Sequence, residues 1–211
     1  MLFRSTINPF GEPTDPFDPP YGKDQIISIG AGGWLVLQFD VPVLNHPLHP
    51  DGFDFTIFGN TGFIITNDFD LTTYDWNGVP ATDGSLFGQN PGVTRVSVSR
   101  DGQAFYVLDP ALAPTADQFP PTDGAGDPHI PLRAGLSAAD FAGATLAQIR
   151  TLYSGSAGGA SYDISWAQDA QGRKVWLSEI RYVRVDVIAG RSEIDAVATV
   201  AMQPPGRAEA H

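Results

Sequence analysis

The residues best equipped for chemistry in this 211-residue sequence are carboxylates and aromatics in two places. Residues 61 to 92 carry Asn67, Asp68, Asp70, Asp75, Asn77 and Asp83 beside Phe69, Tyr74, Trp76 and Phe87. Glu193 and Asp195 stand at the start of the last strand-like run, Ile194 to Val200. Carboxylate and amide oxygens are what a hard cation such as Ca²⁺ takes. The same groups hydrogen-bond sugar hydroxyls, while an aromatic face covers a sugar ring. The expectation is therefore Ca²⁺ held by loop carboxylates, with Asp68, Asp70, Asp83, Asp123, Glu193 and Asp195 as candidate ligands and Tyr74, Trp76 and Asn77 as candidate saccharide contacts. Asp-x-Asp-x-Asp-Gly with a distal Glu never occurs, so an EF-hand is excluded. The competing reading is that the acids cap Asx turns and the aromatics pack their loop onto the domain.

Other chemistries fit less well. Glycoside cleavage needs two carboxyls roughly 5 to 10 Å apart. Glu179 and Glu193 flank a strand whose length separates them by about 30 Å or more, unless Gly190 folds the chain back. His46 and His49 have a helical metal-pair spacing, but Pro47 and Pro50 forbid the helix. Ser156 lies among glycines without the Gly-x-Ser-x-Gly pattern or a strand leading into it. The glycines at 30, 32 and 33 lack both the dinucleotide spacing and a following helix. With no cysteine, disulfide scaffolds, thiolate metal sites and cysteine nucleophiles drop out together. A non-catalytic module is expected.

Charge narrows the partners. The formal net charge is −12, and Asp far outnumbers Glu, which suits loops and turns rather than helices. No basic stripe could track phosphates, and the acidic balance argues against nucleic acid as a partner. No run reaches roughly 18 apolar residues, so no membrane span is expected. Residues 1 to 10 carry no hydrophobic run, and no signal peptide is expected in the sequence as given.

The elements that must position these residues read as mostly β, with 23 Gly and 18 Pro punctuating short runs. Residues 1–24 form a proline-rich arm, docked by Phe10 and Phe17 or serving as a linker. Residues 25–202 form one domain, and 203–211 a polar tail that frays. Strands are expected at Gln25–Ile29, Trp34–Phe39, Asp54–Phe58, Thr94–Ser99, Ala104–Leu108, Tyr162–Trp166, Ile180–Val187 and Ile194–Val200. Gly30–Gly33 reads as a tight hairpin, Arg100–Gln103 as a turn, and Trp34 and Trp166 as core. Ser137 with Asp140 and Thr145 with Gln148 are capping-box spacings on either side of Gly143, predicting two short helical turns within Ser137–Tyr153. The fold class is all-β, a two-sheet antiparallel β-sandwich of jelly-roll type, with long loops and one short helical segment.

Gly32-Gly-Trp-Leu-Val-Leu-Gln-Phe39, Asp54-Phe-Thr-Ile-Phe-Gly-Asn60, Val96 to Tyr106, Tyr162-Asp-Ile-Ser-Trp166, Ile180-Arg-Tyr-Val-Arg184 and Glu193-Ile-Asp-Ala-Val197 follow one another in order. This series resembles the exported bacterial surface proteins that often end in a PEP-CTERM sorting tail, over roughly residues 10 to 200. More remotely, Ser-x-Asp-Gly-x-x-Phe with Arg-Tyr-Val-Arg is similar to discoidin-type, galactose-binding-like jelly rolls. The resemblance implies an extracellular or cell-surface module that binds carbohydrate or matrix polymer through loops braced by Ca²⁺. A self-associating subunit of a surface layer or filament is the alternative. The sequence as given ends in Pro-Pro-Gly-Arg-Ala-Glu-Ala-His, which does not match a sorting-tail pattern.

Overall fold

The computed structural model describes residues 5–20, 22–87 and 92–202. The chain is an all-β sandwich, 38% strand against 9% helix. Its sandwich strands are β1 (Ile27–Gly30), β2 (Trp34–Leu44), β3 (Phe55–Gly59), β4 (Val93–Ser99), β5 (Tyr106–Leu108), β6 (Ala160–Tyr162), β7 (Ala167–Gln168), β8 (Glu179–Ala189) and β9 (Arg191–Thr199). A four-stranded sheet has the order β1-β9-β3-β6 and a five-stranded sheet the order β7-β5-β4-β8-β2, with every neighbouring pair antiparallel. Between them lies the main core, where Phe55, Ile57, Tyr162 and Ile194 meet Val96, Val98, Val183 and Val185.

The alternation of apolar and polar residues makes these strands, and two irregularities finish the job. In β8 the strict period of two turns Val183, Val185 and Val187 inward but would leave Ile180 on the outer face with Tyr182 and Arg184. A register shift against β2 between Ile180 and Tyr182 brings Ile180 into the core, fully buried. In β9 a shift against β3 between Ile194 and Ala196 does the same. Ile194 joins Val197 in the main core, while Ala196 and Ala198 face the other way and pack on Phe58 and Ala157.

β3, β6 and most of β9 are thus buried on both faces, because a third layer covers their outer side, while β1 at the sheet edge stays exposed on its outer side. That layer has its own core of Phe63, Leu132, Phe141, Ala144, Ile149 and Tyr153, packed by Phe17 and Phe119. Phe141 sits 5.1 Å from Phe63 and 5.8 Å from Tyr153, ring centre to ring centre. Each such buried ring contributes on the order of 2 kcal/mol by leaving water. The layer's helix, α1 (Leu146–Tyr153), opens where the Thr145 amide donates to Gln148 Oε1 at 2.9 Å, and the preceding 3-10 turn Ala138–Phe141 opens where the Ser137 amide donates to Asp140 Oδ2 at 2.7 Å. Gly143, at φ +78, separates the two turns, as the spacing predicts.

Three expectations need correction. Gly30–Gly33 is a tight turn, closed by the Gly33 amide on Gly30 O at 2.9 Å, but not a hairpin within one sheet. It carries the chain from β1, paired with β9, across to β2, paired with β8, so that Ile29 and Leu35 enter the core from opposite sides. Trp34 is not core but 58% exposed, because the inward positions of β2 fall on Leu35, Leu37 and Phe39. The strand expected over Tyr162–Trp166 stops at Tyr162. Asp163 accepts the Ser165 amide at 2.6 Å and winds Ile164–Trp166 into a 3-10 turn, with Trp166 half-buried against the core. The long 61–92 connection is internally braced. It holds the ribbons Gly62–Phe63 with Leu86–Phe87, Phe69–Asp70 with Asp75–Trp76, and Ala81–Thr82 with Ala144–Thr145. The expected tail, 203–211, lies outside the described residues.

Candidate functional site

A groove of about 800 Å³ opens in the third layer where the N-terminal arm, the Asp-rich connection and α1 meet. The arm supplies Glu12, Asp15, Phe17 and Asp18. Proline removes its chance of regular structure, so single hydrogen bonds fix it: the Phe63 amide donates to Pro16 O at 2.7 Å and the Gly124 amide to Thr14 O at 2.9 Å. Asp15 Oδ1 then accepts the amides of Phe17 (2.7 Å) and Asp18 (3.0 Å), an Asx turn that sends Phe17 into the core. The connection supplies Ile65, Trp76, Val79 and Pro80. Trp76 is set by the Phe69–Trp76 ribbon and packs edge-on against Phe69, ring centres 5.0 Å apart. Asn67 braces the return of that ribbon, donating to Asn77 O (3.0 Å) and Val79 O (3.2 Å) and accepting from the Ala81 amide (2.8 Å). The helix supplies Thr145, Leu146, Ala147 and Arg150.

The groove is electronegative. Three carboxylates line it against one cation, and that cation is already paired: Arg150 Nε and Nη2 bond the two oxygens of Asp123 at 2.8 and 3.0 Å. The Asp123 side chain is 2% exposed, and its carboxylate holds the Arg150 guanidinium above its usual value. Burial raises the Asp15 carboxyl, against the pull of the Phe17 and Asp18 amides and the Arg150 charge. Chemically the groove offers several strong hydrogen-bond acceptors beside two aromatic rings, Trp76 and Phe17.

Of the three expected saccharide contacts, only Trp76 lines this groove. Tyr74 sits at the ribbon's turn, at φ +55 and 80% exposed, and Asn77 is exposed beside it. The six expected metal ligands are dispersed. Asp70 Oδ1 accepts the Thr72 amide (2.7 Å), and Asp83 Oδ1 accepts the Ser85 amide and hydroxyl (2.9 and 2.5 Å). These bonds hold both carboxyls below their usual range. Asp68 is exposed, and its backbone carbonyl accepts the Asn77 amide at 2.8 Å. Asp123 is paired with Arg150 as described. Glu193 accepts from Ser28 Oγ (3.2 Å) and Asn60 Nδ2 (2.5 Å), with Arg191 Nε at 3.5 Å. Asp195 is fully buried and clamps the arm, accepting the Ser5 amide (3.0 Å) and hydroxyl (2.8 Å). Among the described residues no three His, Cys, Asp or Glu side chains come together. The donor set does not fit the expected Ca²⁺ brace, and these acids cap turns and pin segments instead.

The remaining candidates also find structural partners. His49 Nδ1 lies 2.7 Å from Oδ1 of Asp54, a carboxylate that is fully buried and also accepts the amides of Ile164 (2.8 Å) and His46 (3.2 Å). Burial raises Asp54, against the pull of those donors. Glu179 and Glu193 lie on strands of different sheets. The residues that the sequence reading missed are Glu12, Asp15, Asp18 and Arg150, all on segments read as arm or helix, and Asp117. Asp117 takes φ +59 in the loop after β5 and pushes its carboxylate against the end of β3. Its oxygens accept the amides of Asn60 (2.7 Å), Thr61 (3.1 Å) and Glu193 (2.8 Å). Burial pushes its pKa up to about 6, with the Glu193 and Asn60 amides pulling back and the Glu193 charge adding to the rise.

No protein-family model matches the chain, and no curated protein matches it.

Proposed function

We propose that the chain is a non-catalytic extracellular or cell-surface module that binds a neutral or amine-bearing polysaccharide in the groove between arm, ribbon and α1. The observation that carries this is the placement of the Trp76 ring with Glu12, Asp15 and Asp18 around one groove of about 800 Å³. That volume lies within the roughly 300–1,000 Å³ common for ligand sites. An aromatic ring covers the apolar face of a sugar, and carboxylates accept its hydroxyl or ammonium hydrogens. The same carboxylates, on a protein of net charge −12, repel uronates and sulfated polymers. The extracellular setting is drawn from the resemblance to exported surface proteins. Calcium is left out of the proposal because the expected ligands do not converge.

A glycan array tests this. Wild-type protein is expected to retain neutral or amino-sugar polymers, and Trp76→Ala to weaken that binding at least tenfold, about 1.4 kcal/mol. Retention of no polysaccharide, or equal retention by the Trp76→Ala variant, removes the reading.

A further inference from the structure

We propose that the outer face of the five-stranded sheet carries a second site, for an acidic saccharide, built on Trp34 and Arg95. The strand register sets out the site. Asp186 on β8 pairs with Trp34 on one side and with Arg95 of β4 on the other. All three point away from the core, since their strand neighbours Leu35, Val185, Val187 and Val96 point into it. The row Trp34–Asp186–Arg95 spans two inter-strand spacings, about 10 Å.

Within the row each group has a definite state. Trp34 is 58% exposed although it lies on a strand. Its ring is held by the Arg184 guanidinium, whose carbon lies 4.9 Å from the ring centre. Arg184 is itself fixed by two bonds to Asp186 Oδ1, from Nε at 3.0 Å and Nη2 at 2.6 Å. Arg184 is therefore a positioning residue. Arg95 differs: its Nη2 stands 3.8 Å from Asp186 Oδ2, too far for a hydrogen bond, and its side chain is 48% exposed. Its planar fork keeps donors for a ligand carboxylate.

Charge names the ligand. Arg95 and Arg184 both approach the Asp186 carboxylate, two guanidiniums to one acid, while Asp109, at the end of β5, turns an oxygen to the Ala111 amide at 3.0 Å, so the row carries positive charge on a molecule of net charge −12. Asp101 and Glu179 belong to the other end of the face, beyond Tyr182, where Arg100 lies 3.9 Å from Glu179. A ring stacked on Trp34, with a carboxylate one residue along meeting Arg95, matches a uronate oligomer. The acidic groove in the third layer would reject the same oligomer, so the two sites sort ligands by charge.

The test is calorimetric titration of the full chain with oligogalacturonate, and with an uncharged maltooligosaccharide of the same length. Saturable uronate binding that weakens with salt is expected, with the uncharged oligomer at least about tenfold weaker. Trp34→Ala and Arg95→Gln, both at exposed positions, are each expected to raise Kd about tenfold at unchanged melting temperature. Trp76→Ala is expected to leave it unaltered. Absence of saturable uronate binding, binding that survives both sheet substitutions, equal affinity for the uncharged oligomer, or loss with Trp76→Ala would each overturn the proposal.

Discussion

At Gly59 a methyl group decides whether the site around Asp117 can form. A Cβ there would lie 2.2 Å from the Asp117 carboxylate, so only glycine lets that carboxylate reach the amides of Asn60 and Thr61. The reach has a pH consequence. Asp117 has a pKa of about 6 in the fold against 3.8 as the reference value, so the native state holds the proton more tightly than the unfolded chain. Its contribution to stability is therefore largest below about pH 4 and is lost as pH rises through about 6. The two-unit shift corresponds to at most about 3 kcal/mol. Asp15 and Asp54, also raised, act in the same direction. The lowered carboxyls, such as Asp70, Asp83 and Asp101, lose their contribution only below the usual carboxylate range. Urea unfolding between pH 4 and pH 7 is expected to show stability falling as pH rises, with a shallower slope in Asp117→Asn. An identical slope in the variant would assign the effect elsewhere. None of this was legible in the sequence, because Asp117 gains its meaning from residues more than 50 positions away. Asp70, Asp83, Asp101 and Asp169 were easier, since each caps amides within four residues of itself.

At the scale of elements, short-range patterns were read well and pairings were not. The capping boxes at Ser137 and Thr145 name their own partners three residues on, and the structure forms both. The alternation in β4, β8 and β9 likewise located strands. It could not say that β1 would bypass β2 for β9, because two apolar runs joined by glycines fit one sheet or two equally. Nor could it place the bulges, which exist to reconcile Ile180 and Ile194 with the core. The groove depends on another long-range pairing, α1 to the loop before it, through Arg150 and the buried Asp123. Arg150→Ala strips that carboxylate of its cation while leaving it buried, and is expected to cost about 2 to 3 kcal/mol in urea unfolding. The Arg150 side chain is 40% exposed, which keeps the figure below that of a fully enclosed pair. A loss under about 0.5 kcal/mol would show that the pair does not hold the groove wall.

At the scale of the molecule, the third layer changes what the acids are for. A sandwich with bare loops would call for a metal to stiffen them. Here Asp15, Asp70, Asp83 and Asp123 stiffen the layer through backbone amides and one guanidinium, over a packed aromatic core. Thermal melting is therefore expected to give the same midpoint in EDTA and in added Ca²⁺. A midpoint that falls in EDTA and recovers with Ca²⁺ would restore the metal brace, since only an ion that binds the native state raises it.

The order β1-β9-β3-β6 places β9 in the interior of its sheet although it is the last strand among the described residues. During synthesis, β1 and β3 emerge long before the strand that joins them. β1 has no other partner in its sheet, and β3 has only β6. The Ser5 clamp must likewise wait for Asp195, 190 residues later. Closure over such separations makes folding slow, in the range of milliseconds to seconds. The sandwich therefore closes only after β9 has been made, and until then the edge of β3 that β9 will take stays open.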